Sequence, residues 1–276
     1  MKKLSSVLLT LFIALGVLVS CSSGSKSEGK TGVEAIKEVG VVKIGVFSDK
    51  PPFGFVDEKG ENQGYDIYLA KRVVKDLLGD ESKVEFVLVE AANRVEYLQS
   101  NKVDIILANF TVTEERKEKV DFSTPYMKVS LGVVSADGTP IKSVEDLKGK
   151  QLIVNKGTTA ETYFTKNHPD IELLKYEQNT EAFAALKDGR GAALAHDNTL
   201  LFAWARENEG YTTFIGSLGE EDVIAAGVKK GNTELQEWLN TEIDTLIKEG
   251  FFKEAYTETL EPAYGNTVDP TTVIFE

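Results

Sequence analysis

Short β-branched runs alternate with amphipathic helical patterns along this chain, and the alternation occurs twice, which leaves few architectures open. Residues 41–47, 83–90 and 103–108 read as strands. Between the first two, residues 66–78 place Ile67, Ala70, Val73, Val74 and Leu77 at helical spacing. The pattern restarts with strands at 151–155, 171–176, 192–196 and 212–215, and helices are expected over 159–166, 180–187 and 198–207. Such alternation predicts an α/β fold, and its restart predicts two similar lobes better than one sheet. Extended stretches at 127–134 and 224–228 are natural crossovers between the lobes. A long amphipathic helix is expected over 233–248, with Leu235, Leu239, Ile243, Leu246 and Ile247 on one side, so that the tail can return to the first lobe.

The formal net charge is −13 over 276 residues, which argues against a nucleic-acid partner, because phosphate binding needs a basic face. A single cysteine, Cys21, excludes an intramolecular disulfide and a Cys-based zinc site. Lys2 and Lys3 precede an apolar run, 7–19, that is shorter than the roughly 18–20 residues of a spanning helix and reads as a secretory signal over 1–20. Leu18-Val19-Ser20-Cys21 resembles the lipobox of bacterial lipoproteins, which implies lipidation at Cys21 and a location on the extracellular face of the cell membrane; the alternative is an incidental cysteine near the cleavage site. A Ser/Gly/Lys-rich tether is expected over 21–38.

In open α/β sheets ligands bind beyond the carboxyl ends of the strands, so the residues following each apolar run are the informative ones. After the first strand come Asp49-Lys50-Pro51-Pro52-Phe53, and then Gly64-Tyr65-Asp66 opens a helix. After the second come Ala91-Ala92-Asn93-Arg94, and after the third Asn109-Phe110-Thr111-Val112-Thr113-Glu114-Glu115-Arg116. Thr113 is a candidate N-cap, and Arg116 can offer a planar fork to a carboxylate; a capped surface helix whose arginine pairs with a nearby glutamate reads equally well. In the second block Gly157-Thr158-Thr159 opens a helix with the Thr158-to-Glu161 spacing of a capping box, which suits an anion but needs none. Asp197 follows the strand ending at His196, where it can accept from an ammonium group or merely cap the next helix. Together these residues offer donors for a carboxylate, an acceptor for an ammonium and aromatic walls, a list that a zwitterion fits.

Pro51-Pro52-Phe53, Gly64-Tyr65-Asp66, Thr111-Val112-Thr113-Glu114-Glu115-Arg116, Val120-Asp121-Phe122-Ser123-Thr124-Pro125-Tyr126, Gly157-Thr158-Thr159 and His196-Asp197 resemble, in order, motifs of the periplasmic-type solute-binding proteins for polar amino acids. The resemblance runs from Val41 to Glu276. It implies a two-lobed periplasmic-binding-protein fold with two hinge-crossing strands, lobe 1 being 39–131 with 229–276 and lobe 2 being 132–228, closing around the ligand. It also implies that Arg116, Thr111 and the amide of Thr159 hold the ligand's α-carboxylate, that the Asn109 carbonyl and Asp197 hold its α-amino group, and that Tyr65 packs on its side chain, with Phe53 and Gly157 at the same site.

The segments 90–95 and 105–111 look like the branch that binds cysteine and related sulfur compounds, including streptococcal lipoproteins associated with glutathione or cystine uptake. By that resemblance Arg94 faces the ligand side chain, where it can serve an aspartate or glutamate carboxylate or, equally, the polar extension of glutathione. The implied partners are a small-molecule ligand and an ABC permease with its ATPase; a monomer is expected, and no cofactor, metal or catalytic residue. The rivals are a secreted dehydratase-like enzyme on the same fold, a structural or adhesive lipoprotein, and a sensor domain. No HExxH, GxSxG, P-loop or GxGxxG is present to support the enzyme, and His168 and His196 read as solvated or packed.

Overall fold

The computed structural model describes residues 32–276, so the signal segment, Cys21 and the tether as far as residue 31 lie outside the described residues. The rest of the expected tether is not a linker. It forms helix α1 (Val33–Val39), which buries Val33 and Ile36. Those two side chains lie three residues apart on one helix face, and packing them against neighbouring helices outweighs the polar composition around them.

The first block runs β1 (Val42–Val46), a small antiparallel ribbon of β2 (Asp49–Lys50), β3 (Gly54–Val56) and β4 (Asn62–Gln63), then α2 (Tyr65–Leu78), β5 (Val84–Leu88), α3 (Arg94–Gln99), β6 (Ile105–Ile106) and α4 (Glu114–Lys117). β5, β1 and β6 are parallel neighbours. β6 is shorter than the sequence pattern because the chain turns at Asn109, whose φ is 47°. The helix face read from sequence on α2 is the buried one.

β7 (Val120–Ala136) then leads into the second block, made of β8 (Gln151–Asn155), α5 (Thr159–Asn167), β9 (Glu172–Tyr176), α6 (Asn179–Lys187), β10 (Ala193–Asp197) and α7 (Asn198–Glu207). β11 (Tyr211–Lys229) returns antiparallel to β7. The sheet order is β5-β1-β6-β11-β7-β10-β8-β9, so two long central strands join a parallel half on either side, which is the two-lobed arrangement. Residues 212–215 and 224–228, read as separate runs, are the ends of one strand. Gly216, Gly219, Glu220 and Glu221 interrupt the apolar alternation between them, and the pairing with β7 shifts register there. Gly227 and Val228 pair with Ile106 and Ile105 of β6, so residues 223–228 belong with the first lobe rather than with 132–228. The backbone pairing, not a break in composition, sets that limit.

α8 (Thr233–Glu249), α9 (Phe251–Ala255) and α10 (Glu261–Tyr264) close the chain. α8 lies on β7 and buries Leu235, Leu239, Ile243 and Leu246, each contributing about 1.5–3 kcal/mol relative to exposure. The tail rejoins β7 through the N–H of Lys128, which donates to Val273 O at 2.7 Å. α10 rests on α7 of the second lobe, where Arg206 Nη1 donates to the carbonyls of Pro262 and Ala263 at 2.8 and 3.0 Å. Among the described residues no helix is long and apolar enough to cross a membrane.

Candidate ligand-binding site

The strand ends of the two lobes face each other, and ten residues from both line a small cavity: Phe47, Lys50, Ala91, Arg94, Asn109, Thr111, Arg116, Thr158, Thr159 and Asp197. In the first lobe the turn after β6 is the organising element. Asp66, at the start of α2 and fully buried, accepts from the Asn109 N–H and from Tyr126 Oη, both at 2.8 Å. These bonds hold Asn109 in its left-handed conformation and satisfy a backbone donor that burial would otherwise orphan. Burial pushes the Asp66 carboxyl up to about 6, against the opposing pull of Tyr126 and Lys50.

Thr113 Oγ1 accepts from the Arg116 N–H at 3.2 Å and caps α4, which aims Arg116 across the strand end. Its guanidinium donates to Thr111 O at 2.6 Å and to Gly157 O of the opposite lobe at 2.9 Å, and lies 4.9 Å from the Phe110 ring centroid. The glutamate that would have made it a surface pair, Glu115, bonds Lys119 instead. Burial lowers the Arg116 pKa to about 10, still leaving it charged at neutral pH.

In the second lobe Thr158 Oγ1 caps α5 by accepting from the Glu161 N–H at 3.3 Å, while Glu161 reaches back to the Gly157 N–H at 2.7 Å. Gly157 has a φ of 72°, and a Cβ there would stand 2.5 Å from Ala92 Cα across the cleft. Only glycine allows this approach. Asp49 of the first lobe accepts from Asn179 Nδ2 at 2.9 Å and from the Thr180 N–H at 3.1 Å, so the first turn of α6 is capped from the other lobe.

Lys50 occupies the centre. Only 1 % exposed, its ammonium donates to Asn109 Oδ1 at 2.6 Å and to Asp197 Oδ2 at 2.7 Å, with the Phe47 and Phe53 ring centroids at 5.4 and 5.7 Å. Asp197 makes no side-chain cap to α7; its carboxylate is turned toward Lys50. Burial opposes ionisation of Asp197, but the Lys50 ammonium and then the His196 ring hold its carboxyl well below the usual range. Burial lowers the Lys50 pKa, countered by Asp197. His196 is buried, with Nδ1 accepting from the Asp197 N–H at 2.7 Å, and burial lowers its pKa, so the neutral ring is favoured. His168 sits apart, packed near Tyr163 and Phe164.

Of the residues singled out from sequence, Arg116, Thr111, Asn109, Asp197, Thr159 and Arg94 line this one cavity. Gly157 borders it through the carbonyl shared by both arginines. Arg94 spends Nε on Ala91 O, Nη1 on Ala108 O and Asn109 O, and Nη2 on Gly157 O, so it ties the lobes together rather than presenting a free fork. Tyr65 is not brought to the cavity. It is fully buried beside Tyr126 and Phe252 in the first-lobe core, because the positive φ of Gly64 starts α2 with Tyr65 turned inward. Phe53 is likewise a core residue beneath Lys50. Sequence reasoning assigned no role to Lys50, Phe47 or Asp66. A lysine set between aromatic residues directly after a strand was the available signal for Lys50.

Comparison with known proteins agrees with the two-lobed fold. Residues 42–261 match the model of the bacterial extracellular solute-binding proteins, family 3. The chain belongs to this family. The solute receptor for L-cysteine of Neisseria gonorrhoeae is 59% identical with a TM-score of 0.88, covering 89% of this chain and 100% of that one. The cysteine-binding protein of Campylobacter jejuni is 61% identical with a TM-score of 0.87, covering 88% and 98%. The ABC transporter glutamine-binding protein GlnH of Bacillus subtilis is 36% identical over 264 residues, 93% of this chain and 96% of its own length.

Proposed function

We propose that this protein captures L-cysteine between its lobes and delivers it to an ABC importer, held at the outer face of the cell membrane through a lipid on Cys21. The observation that carries the reading is the convergence, in one small cavity, of Arg116 and Thr159 with Asp197, donors for a carboxylate and an acceptor for an ammonium contributed by both lobes. Such a pair selects an α-amino acid and couples its capture to lobe closure. Cysteine is favoured by the two cysteine-binding neighbours at about 60% identity.

Arg94 is occupied by four carbonyl bonds, an arrangement less suited to clamping an aspartate or glutamate side chain. The test is calorimetry on the soluble domain, freed of any co-purified ligand, with cysteine, cystine, glutathione, aspartate, glutamate and glutamine. Micromolar or tighter binding of cysteine with weaker binding of the others is expected. A preference for glutamine, an acidic amino acid or glutathione would reassign the ligand, and no binding of any would remove the proposal. Lipidation is checked by palmitate labelling in the native host, which should disappear in Cys21→Ser.

A further inference from the structure

The charges around the cavity do not balance for a neutral side chain. Three cations line it, Lys50, Arg94 and Arg116, against one carboxylate, Asp197. The ligand's α-carboxylate matches Arg116 and its α-ammonium matches Asp197. Asp197 is then shared between two ammonium groups, the ligand's and that of Lys50, which Asn109 Oδ1 also holds. Arg94 is only 3 % exposed, all its acceptors are carbonyl oxygens, and among the described residues it forms no ion pair. The remaining charged or titratable groups are Asp66 behind Asn109 and Tyr126, His196 beside Asp197, and Asp222 on β11 near Arg116. Asp66 opposes both Lys50 and Arg94, and Tyr126 opposes Arg94; both Asp66 oxygens are already engaged, by Asn109 and Tyr126.

We infer that L-cysteine is bound as its thiolate, with the Lys50 ammonium facing the sulfur and the Arg94 guanidinium completing a cationic end of the cavity. This rests on the cysteine reading above. The S–H bond breaks heterolytically, the electron pair stays on sulfur and the proton leaves to solvent. Phe47 and Ala91 form the apolar part of the same wall, which suits a large polarizable anion. A buried cation pair that loses part of its carboxylate compensation favours the charged form of an adjacent acid.

Free cysteine, with a thiol pKa near 8.5, is only about 3 % thiolate at pH 7. The described residues contain no cysteine, so in the soluble domain the ligand supplies the only thiol. Mixing domain and cysteine at pH 7 should therefore produce a near-stoichiometric thiolate band in the ultraviolet difference spectrum. Calorimetry in buffers of differing ionisation enthalpy should show close to one proton released per cysteine. Below the free thiol pKa, affinity should strengthen with rising pH by up to tenfold per unit, and S-methylcysteine, which cannot ionise, should bind at least tenfold more weakly. Lys50→Gln, which keeps hydrogen bonds but not the charge, should lose the band at pH 7 and weaken cysteine at least tenfold while changing S-methylcysteine less. Tight cysteine binding with no thiolate band and no proton release would overturn the inference and leave the transport role intact. Failure of cysteine to bind wild-type protein would instead remove the ligand assignment. If Lys50→Gln does not fold, the wild-type spectrum alone decides.

Discussion

At the residue scale, the buried charges of the cavity are held by hydrogen bonds, Lys50 to Asp197 and Asn109 and the two arginines to backbone carbonyls, and their match to the ligand's charges decides binding. Arg116→Ala or Asp197→Asn leaves a ligand charge unmatched in a closed cavity and should weaken binding by about 3 kcal/mol, roughly a hundredfold. Calorimetry checks this, and wild-type affinity in either variant would show that the cavity is not the site. Asp66 makes a separate prediction about pH. Its carboxyl is pushed up to about 6 by burial, so the folded protein binds this proton more tightly than the unfolded chain, whose value is near 4. The sign follows: stability associated with the protonated form is present at low pH and is lost as pH rises from about 4 to about 6. Asp66→Asn can still accept from the Asn109 N–H while its amide donates to Tyr126. Denaturant melts at pH 4 to 7 should show a decline of about 2 kcal/mol in wild type that is missing from the variant. Arg116 was legible from sequence because it lies in the first turn after the cap Thr113, and Asp197 because it stands where an apolar strand gives way to a helix. Lys50 was not, because nothing in the order of residues says that an ammonium at position 50 will reach a carboxylate at position 197.

At the element scale, closure depends on how near two turns from different lobes can come. The turn opening α5 brings the Gly157 backbone against Ala92, and the Gly157 carbonyl receives Arg94 and Arg116 together. Gly157→Ala would add a left-handed strain of about 1–2 kcal/mol and a Cβ inside contact distance of Ala92. We expect at least a tenfold loss of affinity and a larger radius of gyration with ligand present, measured by calorimetry and small-angle scattering; unchanged values would mean that this approach is not needed for binding. The helices α2, α6, α7 and α8 were readable from their apolar spacing. α1 was not, since its short length and polar surroundings resemble a linker until α2 and α8 offer Val33 and Ile36 a surface to cover.

At the scale of the whole molecule, two lobes joined by β7 and β11 bring cations from one side and a carboxylate from the other into one small volume. A ligand that completes those pairs binds only the folded protein and stabilises it by mass action. At a hundred times its dissociation constant, cysteine should raise the melting temperature by roughly 5–10 °C. Differential scanning fluorimetry measures this, and no shift with any amino acid would count against solute binding as a whole. The crossing strand β11 was only half legible, because glycines and paired glutamates break its alternation where it passes between lobes and only pairing with β7 and β6 reveals its continuity.

The order of apolar and polar residues determined the α/β class, the helix faces, and the caps at Thr113 and Thr158, because these depend on periodicities and hydrogen bonds that span only a few positions. Only the tertiary structure decided that Tyr65 belongs to the core, that Asp197 turns to Lys50 rather than to its own helix, and that Arg94 bridges the lobes. Each of those outcomes depends on burial and on charges brought together from distant parts of the chain, and the energy of a buried ammonium is set by neighbours that the linear order does not name.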